Sequence, residues 1–203
     1  VDAIAKPAQF VDAVAKHAQQ LAAQSQRAGA AAKGQGVALK PLNKKATAER
    51  LSYEYVNVDI DRAKRTATLT VSAPNTAVPS TIEAIHHAGD NWYPLQMARE
   101  LDDAILCLRT NELDIGTWLL KTSGDQALAL QSDAVLLQHQ AHWLVNETIG
   151  LLRRTLARLD VSSRSMFALI DEGSCFAGTL AELALCADRA YMLALPDAPD
   201  TAP

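Results

Sequence analysis

The sequence predicts an α/β protein in which parallel strands are joined through helices. Three observations carry that prediction. Polar and apolar residues alternate strictly over Thr66-Ala67-Thr68-Leu69-Thr70-Val71, as in a strand with one buried face. After Asp90 the apolar residues Leu95, Ala98, Leu101, Ile105 and Leu108 recur at helical spacing. The short apolar runs at 115–121 and 166–170 are separated by further helical stretches, and strands alternating with helices are the mark of an α/β layer architecture.

Taken in order, residues 7–27 predict a helix. Pro7 suits a first helical position, and Phe10, Val11, Val14, Ala18, Leu21 and Ala22 form one apolar stripe. Residues 28–50 are rich in Gly, Ala and Lys and read as a solvated linker; the alternative, a basic recognition patch, lacks interleaved aromatics. Tyr53 to Ile60 and Thr66 to Val71 form a hairpin turning at Asp61–Lys64, with a phase slip at Tyr55-Val56 that suggests a bulge. Asp90 is placed to cap the helix that ends near Thr110. A strand over 115–121 reads as covered on both faces, followed by a helix over 127–137 and a long helix with Leu144, Leu151, Leu152, Leu156 and Leu159 on one stripe. Residues 166–170 form a second strand, 171–178 a glycine-flanked turn, 179–186 a helix and 190–195 a third strand.

Composition narrows the function. Lys and Arg number 19 against 23 Asp and Glu, a net charge of −4, so a basic nucleic-acid surface is not expected. No apolar run approaches the roughly 20 residues of a membrane helix. Cys107, Cys175 and Cys186 are an odd number without CxxC spacing, which predicts neither a disulfide framework nor a structural zinc site and fits a cytoplasmic setting. The start at Val1 and the ending Leu195-Pro196-Asp197-Ala198-Pro199 read as cuts inside a longer protein.

Chemistry is concentrated between Gly173 and Asp188, where a strand feeds a glycine turn that opens a helix. Backbone N–H groups and the positive end of the helix dipole can stabilise a carbonyl oxyanion there. Glu182 stands where a general acid or base could act; equally, it could serve only as a favourable charge near a helix start. Ser174 and Cys175 are weaker nucleophile candidates, outside any G-x-S-x-G pattern. The histidines His86, His87, His139 and His142 read as surface or capping residues rather than metal ligands, and no metal is expected. Glu147 falls among apolar positions and is either catalytic or paired with Arg153 or Arg154. Trp92, Trp118 and Trp143 read as core anchors.

The run Gly173 to Asp188, ending Glu182-Leu183-Ala184-Leu185-Cys186-Ala187-Asp188, resembles the glycine turn and E-L-A-x-x-x-D helix of the crotonase (enoyl-CoA hydratase/isomerase) superfamily. Trp118–Lys121, Gly124 and the segment closing at Asp133 resemble its first oxyanion loop. Ala98–Ile105, Arg109–Asp114, Glu147–Leu156 and Gly173–Gly178 are similar to the benzoyl-CoA-dihydrodiol lyases within it. The resemblance implies a crotonase-like spiral of β-β-α repeats. Residues 1–27 would be the closing helix of an upstream crotonase-like domain, 28–50 a linker, and 51–203 a second such domain truncated at its C-terminus.

It further implies a carbon–carbon lyase of aerobic benzoyl-CoA degradation. Two N–H donors hold the CoA thioester carbonyl, carboxylates move protons, and formate leaves an open-chain semialdehyde CoA thioester. No cofactor is implied, CoA being part of the substrate. The implied partners are the upstream half and a second copy in a homodimer. The oxyanion donors would be the N–H groups of Leu130, Gly178 and Thr179. Departures are visible: the turn reads Ala177-Gly178-Thr179, the first loop carries bulky Leu130 and no glycine, and no second glutamate matches. The family's paired glutamates would lie upstream of Val1, leaving this part as scaffold and dimer surface. A self-sufficient enoyl-CoA hydratase or isomerase using Glu182 and the Thr179 N–H is the alternative, and a non-enzymatic oligomerisation module the third reading.

Overall fold

The computed structural model describes residues 4–24 and 36–194. It comprises two compact units, Val1–Gly36 and Val37–Pro203. In the first unit a 3₁₀ turn, Pro7–Gln9, leads into helix α1, Phe10–Gln24, with Pro7 at the first position as its fixed φ favours. The predicted helix starts as expected; its last residues, 25–27, lie outside the described ones. None of its residues is buried, and Phe10, Val14 and Leu21 are all more than half exposed.

The second unit is built on a seven-stranded sheet whose spatial order is the chain order: β1 Lys45–Ala46, β2 Arg50–Ser52, β3 Val56–Asp61, β4 Thr66–Ser72, β5 Thr117–Ser123, β6 Ser165–Ile170 and β7 Arg189–Met192. The first four are antiparallel neighbours, and from β4 onward every pairing is parallel. Each crossover adds the next strand to the same edge, so the chain advances in one direction. The α/β class with parallel strands is as the sequence predicts.

Alternation in β3, β4 and β5 puts one row of side chains per strand into the core. Register aligns the rows: Val58 faces Leu69, Leu69 faces Leu120, and Leu120 faces Ala168, all fully buried. On this core pack α3, Tyr93–Asn111, and α5, Trp143–Asp160, after the short α2, Ile82–Ala88, which the sequence reading did not anticipate. Helix α4, Gln126–Gln138, starts at Asp125, whose carboxylate accepts from the N–H groups of Ala127 and Leu128. Trp92 and Trp118 are buried anchors, whereas Trp143 is 37% exposed and stacks beside His86 and His142.

Several local expectations give way. Residues 37–50, read as linker, belong to the second unit: β1 pairs with β2, and the Lys40 N–H donates to Asp90 at 2.8 Å. Asp90 therefore holds the irregular segment before β1 and does not cap α3, whose N-cap is Trp92 without a side-chain bond. The phase slip at Tyr55-Val56 is the turn between β2 and β3, closed by the Tyr53 N–H on the Val56 carbonyl, and not a bulge. Strand β5 alternates buried with half-buried residues, so only one of its faces is fully covered among the described residues.

Candidate functional site

The chain leaves β6 at Ile170 and makes a glycine turn before a 3₁₀ segment, Gly178–Ala181, that runs into the short helix α6, Glu182–Leu185. The turn is held locally. Ser174 Oγ accepts from the Asp171 N–H at 2.9 Å and donates to Asp171 Oδ1 at 3.0 Å, while Lys121 Nζ meets Asp171 Oδ2 at 2.6 Å. The lysine hydrogen bond is the main reason the Asp171 carboxyl is held below the usual carboxylate range. Ser174 is thus a clasp, buried and engaged, and no histidine base is bonded to it among the described residues.

Cys175 is fully buried, with its N–H on Thr122 Oγ1 at 2.9 Å. Burial pushes its thiol up, which makes it an inert core residue and not a nucleophile.

The decisive contact lies one turn later. Asp133, on α4, accepts from the Thr179 N–H at 2.6 Å and from Thr179 Oγ1 at 2.7 Å. The backbone donor expected to hold a substrate oxyanion is occupied by the protein's own carboxylate. Gly178 makes this possible: it sits at φ +55°, and a Cβ there would overlap Asp133 Oδ2. Its own N–H has no partner among the described residues.

The first-loop expectation is corrected outright. Ala129 to Asp133 lie inside helix α4, so the Leu130 N–H belongs to the helical ladder, and the Leu130 side chain is 53% exposed. A helix forms because Asp125 caps it and residues 126–138 contain no glycine or proline. Of the three candidate donors, the Leu130 N–H is in a helix, the Thr179 N–H is capped by Asp133, and the Gly178 N–H has no partner among the described residues.

The carboxylate candidates are not brought together as a reacting pair. Glu182 is exposed, as is Glu147, and neither forms an ion pair among the described residues. Glu147 thus pairs with neither Arg153 nor Arg154, and it lies off the buried stripe of α5, which carries Leu144, Val145, Thr148, Leu152, Thr155 and Leu159. The Asp133–Thr179 contact forms a wall shared by two spaces. On one side is a void of about 10 Å³ beside Tyr93 and Met97, the size of one water. On the other is an open groove of about 560 Å³ between α4, α5 and α6, lined by Leu136, Ile149, Leu152, Arg153 and Glu182.

The histidines do gather, partly. His86 Nε2 and His142 Nε2 are 3.4 Å apart, and His139 Nε2 meets the Ser80 carbonyl at 2.8 Å. Together they fasten α2 to the corner between α4 and α5. Among the described residues no group of three or more His, Cys, Asp or Glu could hold a metal ion. Sequence reasoning missed Asp133 as a functional determinant; the signal was present in Asp133 itself, a carboxylate at the end of a segment similar to an oxyanion loop.

No family model matches the chain. It is 51% identical over 193 residues to benzoyl-CoA-dihydrodiol lyase of Aromatoleum evansii, an alignment that takes in 95% of this chain and 34% of that protein. The chain thus spans about a third of the length of the curated relative it matches. Among solved structures, an enoyl-CoA hydratase of Geobacillus kaustophilus superposes with a TM-score of 0.43 at 15% identity, covering 70% of this chain and 46% of that one. An enoyl-CoA hydratase of Shewanella pealeana gives 0.43 at 16% identity, over 68% and 46%. No helix among the described residues is long and apolar enough to cross a membrane.

Proposed function

We propose that this chain, a relative of benzoyl-CoA-dihydrodiol lyase over a third of that enzyme's length, is the scaffolding part of such a lyase. The whole protein would cleave a ring-oxidised benzoyl-CoA to an open-chain semialdehyde CoA thioester and formate. Its working carboxylates would stand on the part of the polypeptide outside this chain, and the present part would support that half and a dimer surface. The single observation that carries this reading is the Asp133 carboxylate on the Thr179 N–H and hydroxyl. An oxyanion forming at the same donor would have to displace a carboxylate and would meet its negative charge in a half-buried place, where repulsion between like charges is large. An enoyl-CoA hydratase reading needs that Thr179 donor free and a second acid beside Glu182, so the capped donor counts against it.

The test is calorimetric titration of the folded 203-residue chain with benzoyl-CoA. The expected outcome is no heat. Micromolar binding that disappears in Thr179→Pro, which removes the N–H, would overturn the scaffold reading and make Glu182 a catalytic candidate.

A further inference from the structure

The densest cluster of reactive side chains outside the turn joins residues 44 and 53 to helix α3. Lys44 Nζ is 2.8 Å from Asp103 Oδ2 and also 2.8 Å from Cys107 Sγ. Tyr53 donates its hydroxyl to the same Asp103 oxygen at 2.6 Å. Asp103 and Cys107 are one helical turn apart, so both face the lysine from a single side of α3, and Asp103 fixes the ammonium where the sulfur can meet it. Sulfur is larger than oxygen, yet the nitrogen stands as close to it as to the carboxylate oxygen. That is closer than an ordinary contact to sulfur and suits two atoms separated by a single bridging oxygen.

The three cysteines differ sharply. Cys175 is fully buried, and burial pushes the Cys186 thiol up to about 11, its Sγ donating to the Leu183 carbonyl. Cys107 is half-buried and is the cysteine with a cation at its sulfur among the described residues. Its Sγ also donates to Asp103 Oδ2 at 3.9 Å, so a sulfur oxidised by peroxide to a sulfenic acid would stand directly against the lysine nitrogen. The Lys44 side chain is 28% exposed, so a molecule as small as hydrogen peroxide reaches the pair.

We infer that Lys44 and Cys107 form an oxidation site at which hydrogen peroxide closes a covalent N–O–S bridge between the two side chains. Lysine, thiol and two peroxide molecules give the bridged pair, three waters and a proton: Lys–NH3⁺ + Cys–SH + 2 H2O2 → Lys–NH–O–S–Cys + 3 H2O + H⁺. One N–O and one O–S bond form, two of the three ammonium N–H bonds and the S–H bond are lost, one proton goes to solvent, and the four electrons removed from sulfur and nitrogen reduce both peroxides. The bridge would tie the segment before β1 covalently to α3, a brace that thiol reductants reopen. This site is independent of the lyase reading.

The test is mass spectrometry of the full chain after mild hydrogen peroxide treatment, without reductant, followed by trypsin. The expected result is a cross-linked peptide pair containing Lys44 and Cys107, about 14 Da heavier than the sum of the two, uncut after Lys44 and separated by dithiothreitol. Lys44→Arg, which keeps the charge but has no primary amine, should abolish it and leave Cys107 as sulfenic or sulfinic acid. Finding those acids in the unaltered chain with Lys44 still cut by trypsin would overturn the inference. So would an untouched Cys107, or a pair about 2 Da lighter, which marks a direct S–N bond without the oxygen.

Discussion

Removing the Asp133 carboxylate is the perturbation whose consequence follows most directly from the geometry. Asp133→Ala deletes two hydrogen bonds to a charged acceptor, at 2.6 and 2.7 Å, and leaves the Thr179 N–H without its partner. Bonds to charged groups contribute about 1.5–3 kcal/mol each when well made. Because the site is half-buried and water can enter from the groove, the lower end applies, a total of about 3 kcal/mol. Asp133→Asn keeps one acceptor for the N–H and one donor for the hydroxyl, so it should cost only about 1 kcal/mol.

Gly178→Ala attacks the same contact from the other side. Its Cβ would drive the carboxylate away, losing about 3 kcal/mol, and alanine at φ +55° adds about 1–2 kcal/mol of backbone strain. In an Asp133→Ala background only the strain remains, so the two substitutions should be non-additive by about 3 kcal/mol. Urea denaturation of the four chains, read as midpoint shifts at constant slope, measures this coupling. A coupling below about 0.5 kcal/mol would mean that the carboxylate does not sit on the turn, and the scaffold argument would fall with it.

Other perturbations have equally definite signs. Burial pushes the Asp103 carboxyl up, but hydrogen bonds from Lys44 and Tyr53 outweigh it and hold the group below its usual range. Its stabilisation is therefore complete above the unfolded value near 3.9 and is lost as pH falls through the lower folded value; the gap between wild type and Asp103→Asn, about 1 kcal/mol at pH 7, should narrow below pH 4 in urea titrations. Burial, His86 and His139 hold His142 below its ordinary value, so the unfolded chain takes up the proton first and stability should fall from pH 7 towards pH 5. His142→Gln should flatten that part of the pH profile. Leu120→Ala, fully buried on β5, should cost about 3 kcal/mol by thermal or urea unfolding, whereas Glu147→Ala, exposed and without an ion-pair partner among the described residues, should stay within about 0.5 kcal/mol.

What could be read along the chain was whatever local periodicity encodes. Thr66–Val71 alternates because one face of β4 is buried, and the helix beginning near Asp90 carries its apolar stripe because α3 lies on the sheet. Elements with weak patterns were hidden. The seven residues of α2 are too few for a period to emerge, and β1 is two residues long inside a Lys-rich stretch that reads as linker. At the site, Glu182 and the Gly178-Thr179 turn were legible from type and spacing, but their state was not.

The sequence by itself determined the α/β class, the order of strands and helices from residue 56 onward apart from α2, and the similarity to a third of a benzoyl-CoA-dihydrodiol lyase. The tertiary structure alone decided that the segment Ala129–Asp133 is helix, that Glu147 and Glu182 face solvent with no ion-pair partner among the described residues, and that Asp133 fills the donor at Thr179. The reason is distance along the chain. Propensity and period act over one or two turns, whereas Asp133 and Thr179 are 46 residues apart and meet because α4 and the turn after β6 pack at the same end of the sheet, with Gly178 lacking the Cβ that would hold them apart.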